Sequence, residues 1–383
     1  MAFDLRCHHN VASIANSGAL PGDGPRSRRR EMKAPVVLYE PPKRLRTDYR
    51  VGLSAWTDKS MLEEGQFYPR KTMTPGERLW WYSRFFDVVE VNSTFYALPA
   101  VETAATWTER TPPGFLFNVK AYALLTGHQV DVARLPQPLR AMLPRRLQAD
   151  KTSRVPATAF DREAQPWALA ELRRGLEPLR RTGKLGYVLF QLAPWMKSSD
   201  ETKAYLATLP RDLPGAIVAV EFRNRSWFGP RADETLRFLA THGLTYVSID
   251  GPRGRATVPS LPALTTATAV FRLHGRNFEG FLRQVQGKAP TVAEKYDYLY
   301  RDEELEEIAR AAGTLNGKAD RVHLAMNNNR RDYPVTNGLR LKEMLLEDWR
   351  PPDRAALVEE LEERRARAKP AKKSRRRTTR RAA

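Results

Sequence analysis

Cysteine is nearly absent: the 383-residue chain has one, Cys7. One thiol excludes disulfides within the chain and any Cys-rich zinc cluster, and it fits a reducing, cytoplasmic setting. Long apolar runs are missing too. No stretch approaches the roughly 18 apolar residues of a membrane span, so no membrane partner is expected. Residues 1–20, MAFDLRCHHNVASIANSGAL, hold no continuous apolar segment of the kind a secretory signal carries. The chain also lacks a Gly-x-Ser-x-Gly elbow, a phosphate loop, a His-Glu-x-x-His pair and a Gly-x-Gly-x-x-Gly after its first predicted strand. No cofactor or metal is therefore called for by motif.

Acidic residues are scarce only at the ends. Residues 364–383 (RRARAKPAKKSRRRTTRRAA) hold eleven Lys/Arg and no acid, and residues 1–50 hold ten against five. Of the net charge of +20, the two ends carry +11 and +5, which leaves +4 for residues 51–363. The basic character belongs to the ends and not to the body. Residues 1–48 mix Gly, Pro, Ser and Arg without periodicity and read as a disordered leader. Residues 351–383 read as a charged helix that leaves the body and ends in a disordered basic tail.

Between these ends, short β-branched or apolar runs alternate with helical spacing. Strands are predicted near 49–53, 88–91, 114–120, 186–191, 216–223, 244–250, 269–274 and 321–327. Helices are predicted at 75–86, 103–110, 164–182, 201–209, 232–241, 302–312 and 337–346. Residues 121–163 are Pro-bearing and irregular apart from an amphipathic piece near 139–147. Residues 251–268 carry three prolines and no helical period, so the helix between strands six and seven is weak or missing. Eight such strands over residues 49–350 predict an α/β fold, an eight-stranded parallel (β/α)8 TIM-type barrel.

In that fold the reactive surface is the ring of loops at the C-terminal ends of the strands. The predicted ends are polar. Glu90/Asn92, Asn118/Lys120, Glu221/Arg223 and Arg272/His274 are spaced i and i+2, which puts each pair on one face of its strand. Gln191, Asp250, Asn327 and Asn328 end other strands, and His128 and Arg276 follow two of them. If these faces point inward, Glu90, Glu221 and Asp250 neutralise Lys120, Arg223 and Arg272. A buried ion network that only fixes register has the same composition. Trp56, Phe95, Tyr96, Trp195 and Trp227 follow strand ends and could wall a pocket, although aromatics there also serve as packing. A glycosidase pair needs two acids about 5 to 10 Å apart. Glu90 and Glu221, on strands two and five, are expected to lie further apart than that.

The motifs VGLSAW (51–56), FYP (67–69), VEVNSTFYALP (89–99), FNVKA (117–121), LGYVLFQLAPW (185–195), VEFRNRSW (220–227), FRLHGRN (271–277), YDYLY (296–300) and MNNN (326–329) occur in order. Together they resemble the YecE-like family, domain of unknown function 72. The resemblance covers about 51–346 and implies a TIM-type barrel. It implies no reaction. Where the family often shows Thr-His after the strand-three lysine, this chain has Thr126-Gly127-His128.

Two functions are compatible with these residues. In the first, the barrel mouth is an enzyme site for a small anionic or phosphorylated substrate. Glu90 or Glu221 is then the base and His274 the acid or electrophile. Asn92, Tyr96, Lys120, His128, Gln191, Arg223, Asp250, Arg272, Arg276, Asn327 and Asn328 bind. Hydrolase, isomerase and lyase chemistry all stay open, as does the oligomeric state. In the second, residues 364–383 hold nucleic acid without sequence preference and the barrel is a scaffold.

Overall fold

A computed structural model describes residues 32–39, 46–150, 152–254, 257–288 and 292–368. Its centre is a closed barrel of eight strands, all parallel: β1 (Asp48–Leu53), β2 (Val88–Val91), β3 (Leu116–Lys120), β4 (Leu185–Gln191), β5 (Ile217–Glu221), β6 (Thr245–Asp250), β7 (Thr268–Leu273) and β8 (Arg321–Met326). Neighbours follow chain order around the ring, and β8 closes onto β1 with Leu324 opposite Val51 and Met326 opposite Leu53. The predicted (β/α)8 barrel is the observed one.

Helices cover the outside: α1 (Pro75–Phe85), α2 (Val101–Glu109), α3 (Ala164–Arg181), α4 (Asp200–Asp212), α5 (Ala232–Thr241), α6 (Phe278–Val285), α7 (Asp302–Gly313), α8 (Tyr333–Leu345) and α9 (Arg354–Ala368). The first is typical of how local sequence sets them. Thr74 caps α1 by accepting from the Glu77 amide, Glu77 reciprocates on the Thr74 amide, and Pro75 occupies the first turn, where no amide hydrogen is needed. Leu79, Trp80, Trp81, Tyr82 and Phe85 are then buried. The Tyr82 hydroxyl accepts from Leu53 N and donates to Val88 O, both at 2.8 Å, which locks the ends of β1 and β2 together.

The barrel interior is filled at mid-height by Tyr187, Leu189, Ala219, Val247, Ile249 and Val270. Below them His323 and Asn118 meet at 3.4 Å, over Gly186. A Cβ on Gly186 would stand 2.1 Å from Asn118 Oδ1, so only glycine permits this layer. Apart from this His–Asn pair the interior below the mouth is apolar, and the charged side chains stand above it.

Three expectations change. No helix joins β6 to β7 among the described residues, as predicted, but the gap is covered. Ala263–Leu264 pairs in parallel with Val36–Val37, and Met32, Val36, Leu38 and Tyr39 pack on the core. The leader reading of 1–48 therefore fails at residues 32–39, where apolar side chains occupy a missing helix's position. The described residues of 121–163 are also structured. Val130–Asp131 pairs antiparallel with Arg154–Val155, and Leu124, Leu125, Val132, Leu135, Leu139 and Leu143 are buried.

Helix α9, finally, does not leave the body. Leu361 is buried, Arg354 donates to Gln66 O and Phe67 O at 3.1 and 3.0 Å, and Arg365 grips the capping Glu77 at 2.6 Å. Of the predicted basic tail, residues 369–383 lie outside the described residues. No described helix is long and apolar enough to cross a membrane.

Candidate functional site at the barrel mouth

Arg272 rises from the inner face of β7 into the centre of the barrel, and burial of its guanidinium demands partners. It finds two carboxylates. Its Nε and one terminal nitrogen donate to Glu90 Oε2 and Oε1 at 3.0 and 2.6 Å, a bidentate pair across the barrel. Its other terminal nitrogen contacts Glu221 Oε2 and reaches Gln191 Oε1 at 3.3 Å. One guanidinium thus bridges Glu90 and Glu221, so the wide separation expected between strands two and five is wrong. Inward side chains of a small barrel converge however far apart their strands lie. With Arg272 between them, the two acids are not a glycosidase pair.

Three further groups surround this bridge. Arg223, just past β5, contacts Glu221 Oε1 and donates to His274 Nε2 at 3.0 Å. His274 lies 3.4 Å from that same carboxylate oxygen, and its Nδ1 meets the Asn327 amide at 2.7 Å. Lys120, at the end of β3, donates to Gln191 Oε1 at 3.2 Å and lies over the Phe95 ring at 4.4 Å. No carboxylate comes within ion-pair distance of Lys120 among the described residues. The group therefore sets two carboxylates against three cations. Glu90, Glu221, Arg272 and His274 are buried, whereas Lys120, Gln191 and Arg223 are partly open, so the mouth is reached from solvent through its cations.

Protonation follows from this arrangement. Burial, reinforced by the Arg272 and Arg223 charges and only partly offset by Glu221 and Glu90, lowers Lys120 to about 7. Burial opposes ionisation of Glu221, but Arg223, Arg272 and His274 outweigh it and hold its carboxyl well below the usual range. Burial and the Arg223 charge push His274 down to about 3, so its imidazole is neutral. His128 falls to about 4 through burial and the Lys120 charge. The group that exchanges a proton near neutrality is Lys120. Glu221 is too weak a base for the role assigned to it, and His274 cannot act as an imidazolium acid at neutral pH, although its neutral N–H remains a donor.

Other predicted site residues lie elsewhere. Asp250, at the end of β6, does not neutralise the central cations. It takes Arg276 bidentately, 2.8 Å to each oxygen, together with the Tyr300 hydroxyl at 2.9 Å. Arg276 also reaches Glu304 and Glu307 at 3.3 and 3.1 Å, and its charge is spent there. Asn92 is not on the Glu90 face, because β2 ends at Val91 and the chain turns into a 3-10 segment at Ser93–Phe95. Its amide donates to Ser54 O at 2.5 Å and ties two strand ends. Asn328 is fully buried and donates to Tyr298 O and Asn337 Oδ1, both at 2.9 Å, a structural duty.

Of the aromatics, Trp227 is buried against Phe222 at 4.3 Å and Trp56 meets Trp107 edge-on at 6.0 Å, so neither walls a pocket. Phe95 lies beneath Lys120. Tyr96 and Trp195 are exposed, at 57% and 53%, and His128 sits between Phe95 and Trp195 at 5.0 and 5.9 Å. One participant was missed. The Tyr187 hydroxyl donates to Glu90 Oε2 at 3.1 Å. It shares a β4 face with Gln191, four residues on, and that alternation would have found it. Two clefts lie away from the mouth. One of about 1150 Å³ separates α1 from α9, and one of about 500 Å³ opens at the opposite end of the barrel beside Asp48 and Arg321.

Residues 50–360 match the family described as "Protein of unknown function DUF72". The UPF0759 protein YunF of Bacillus subtilis is 31% identical over 298 residues, spanning 77% of this chain and 94% of that protein. Among solved structures, the DUF72 family protein TM1631 of Thermotoga maritima aligns with a TM-score of 0.60 at 28% identity, over 78% of this chain and 99% of that one. The DUF72 family protein EF0366 of Enterococcus faecalis aligns with a TM-score of 0.61 at 22% identity, over 80% and 98%. The last likeness is one of fold.

Proposed function

The chain belongs to the DUF72 family, and from the chemistry of its barrel mouth we propose that it is an enzyme acting on a small anionic substrate bound there. One observation carries the reading: the central cluster holds one more cation than carboxylates, and the surplus cation, Lys120, has no acidic partner among the described residues. A structural network has no need of a surplus charge in a desolvated place, because an unmatched ion costs stability. A ligand anion would balance it. Arg223, 22% exposed at the side chain and with a buried Nε that has no hydrogen-bond partner, is the contact such an anion would meet beside Lys120.

Within this reading Arg272 is a positioning residue. It holds Glu90, Glu221 and Gln191 in place, and its charge helps to keep Glu221 ionised. Lys120 gives or takes the proton, since its neutral and charged forms coexist near neutrality. Tyr96, His128 and Trp195 form the rim over which the substrate enters.

Calorimetric titration of the full chain with small anions (sulfate, phosphate, pyruvate and sugar phosphates) tests the proposal. Binding of at least one is expected, weakened about tenfold or more by Arg223→Ala, the loss of one charge-assisted contact. If no anion binds, or if Arg223→Ala and Lys120→Met both leave affinity unchanged, the enzyme reading is lost.

A further inference from the structure

Resting on that reading and sharpening its substrate class, we propose that Lys120 is a nucleophile that forms an imine with a small anionic carbonyl compound, a 2-oxo acid or a keto phosphate. The placement of the amine is the argument. Lys120 Nζ is held by one neutral acceptor, Gln191 Oε1 at 3.2 Å, and by the face of Phe95 at 4.4 Å. A lysine kept only for its charge would be served by a carboxylate, and Glu90 and Glu221 stand in the same cluster. Both are instead occupied by Arg272, which also competes with Lys120 for Gln191 Oε1 at 3.3 Å. The amine is thus left free of acids, crowded by guanidinium groups and partly open to solvent. Those conditions leave a lysine with an available lone pair near neutral pH.

The neighbours fit the partner. Arg223 lies close enough for its charge to act on Lys120, and it offers an anion contact beside the amine. A carbonyl carbon one bond from a carboxylate carbon, or three bonds from a phosphorus, would then face Nζ. In the reaction the Nζ lone pair attacks that carbon, forming a C–N bond while the carbonyl oxygen takes a proton. The nitrogen loses a proton, and the hydroxyl leaves with another as water. Overall an ammonium and a carbonyl give a protonated imine and one water, with no oxidant or reductant. The positive charge stays on nitrogen, where Glu221 and Glu90 already stabilise it. The aromatic floor and rim supplied by Phe95, His128 and Trp195 shield the imine from hydrolysis.

The test is reductive trapping on the full chain. Pyruvate, glyoxylate and dihydroxyacetone phosphate are each incubated with the protein and cyanoborohydride, and adducts are located by intact mass and peptide mapping. At least one probe is expected to give a single saturable adduct per chain on Lys120. The adduct is absent from Lys120→Arg, and sulfate competes with its formation. If no probe labels Lys120, or if labelling spreads over surface lysines equally in wild type and Lys120→Arg, the imine is overturned. Sulfate titration of Lys120→Arg separates the two claims. Sulfate binding without any adduct in the wild type leaves the anion site standing and removes only the imine, whereas loss of both removes the enzyme reading as well.

Discussion

Around Arg272 two carboxylates face three cations, while around the end of the neighbouring strand β6 Asp250, Glu304 and Glu307 face Arg276, Arg253 and Arg301. Each network has a buried centre, Glu90, Glu221 and Arg272 in one and Asp250 and Glu304 in the other, both sit at the C-terminal ends of strands, and both look alike in sequence. They differ in completeness. Asp250 accepts from Arg276 at both oxygens and from Tyr300, and Glu304 accepts from Tyr298, so each charge has a matched partner. Among the described residues, Glu221 Oε1 of the Arg272 network has cations against it but no aligned hydrogen bond, Arg223 Nε has no hydrogen-bond partner, and Lys120 has no acid within ion-pair distance. Burial alone does not mark a site. Buried charge left over after the protein has matched what it can is the informative quantity.

The largest effect should come from breaking either bridge. Arg272→Met leaves Glu90 and Glu221 facing each other without their shared cation, and a loss of about 3–5 kcal/mol in denaturant unfolding is expected. A loss below about 1 kcal/mol would mean that the bridge is not coupled to folding. Arg276→Met should cost somewhat less, about 2–3 kcal/mol, because Asp250 keeps Tyr300 and Arg253. The comparison is sharpened by the ligand. Arg276→Met should leave sulfate affinity within about twofold, whereas Arg223→Ala should lower it about tenfold and cost less than about 1 kcal/mol of stability. If both arginines prove equally important for the anion, the two networks are one site and the distinction fails.

How much of this was legible beforehand depended on the kind of constraint involved. The barrel was readable because each strand is a short apolar run and all but β6 are followed by a helix before the next strand, and β-branched residues at Val88, Val89 and Val91 leave little choice. The convergence of Glu90, Glu221, Arg272 and His274 followed from side-chain alternation. The pairing did not. Nothing in sequence separation reveals that Arg272 bridges Glu90 and Glu221 while Asp250 turns to Arg276, since that depends on ring closure and on insert residues such as Tyr300. Asn92 and Asn328 were misplaced for a local reason. Alternation stops where a strand stops, and β2 and β8 end at Val91 and Met326, one and two residues too early. The segment at 32–39 was missed because two β-branched residues among prolines and arginines carry too little pattern to predict a strand. Their pairing with Ala263–Leu264 is a tertiary event.

The smallest effect is the one that isolates Lys120. Unfolded, the lysine has its ordinary value of 10.5, and folded it lies at about 7. Between those values the unfolded chain binds more protons, so this group's contribution to stability rises with pH over that window and is least favourable below 7. Lys120→Met should remove that slope. The same titration acts on the anion with opposite sign. Sulfate stays fully ionised throughout, so its affinity should fall as pH rises through about 7 and Lys120 loses its charge. The fall should be roughly fivefold, on the order of 1 kcal/mol for one screened charge at the mouth. Glu90, Glu221, Arg223 and Arg272 surround the amine, and Arg272 keeps its charge over this range while Glu221 is held ionised well below it. His274 and His128, at about 3 and 4, are already neutral. A midpoint near 7 that disappears in Lys120→Met therefore has one available source. A flat profile, or a midpoint near 6.5 that survives the substitution, would return Lys120 to the same structural standing as Arg276.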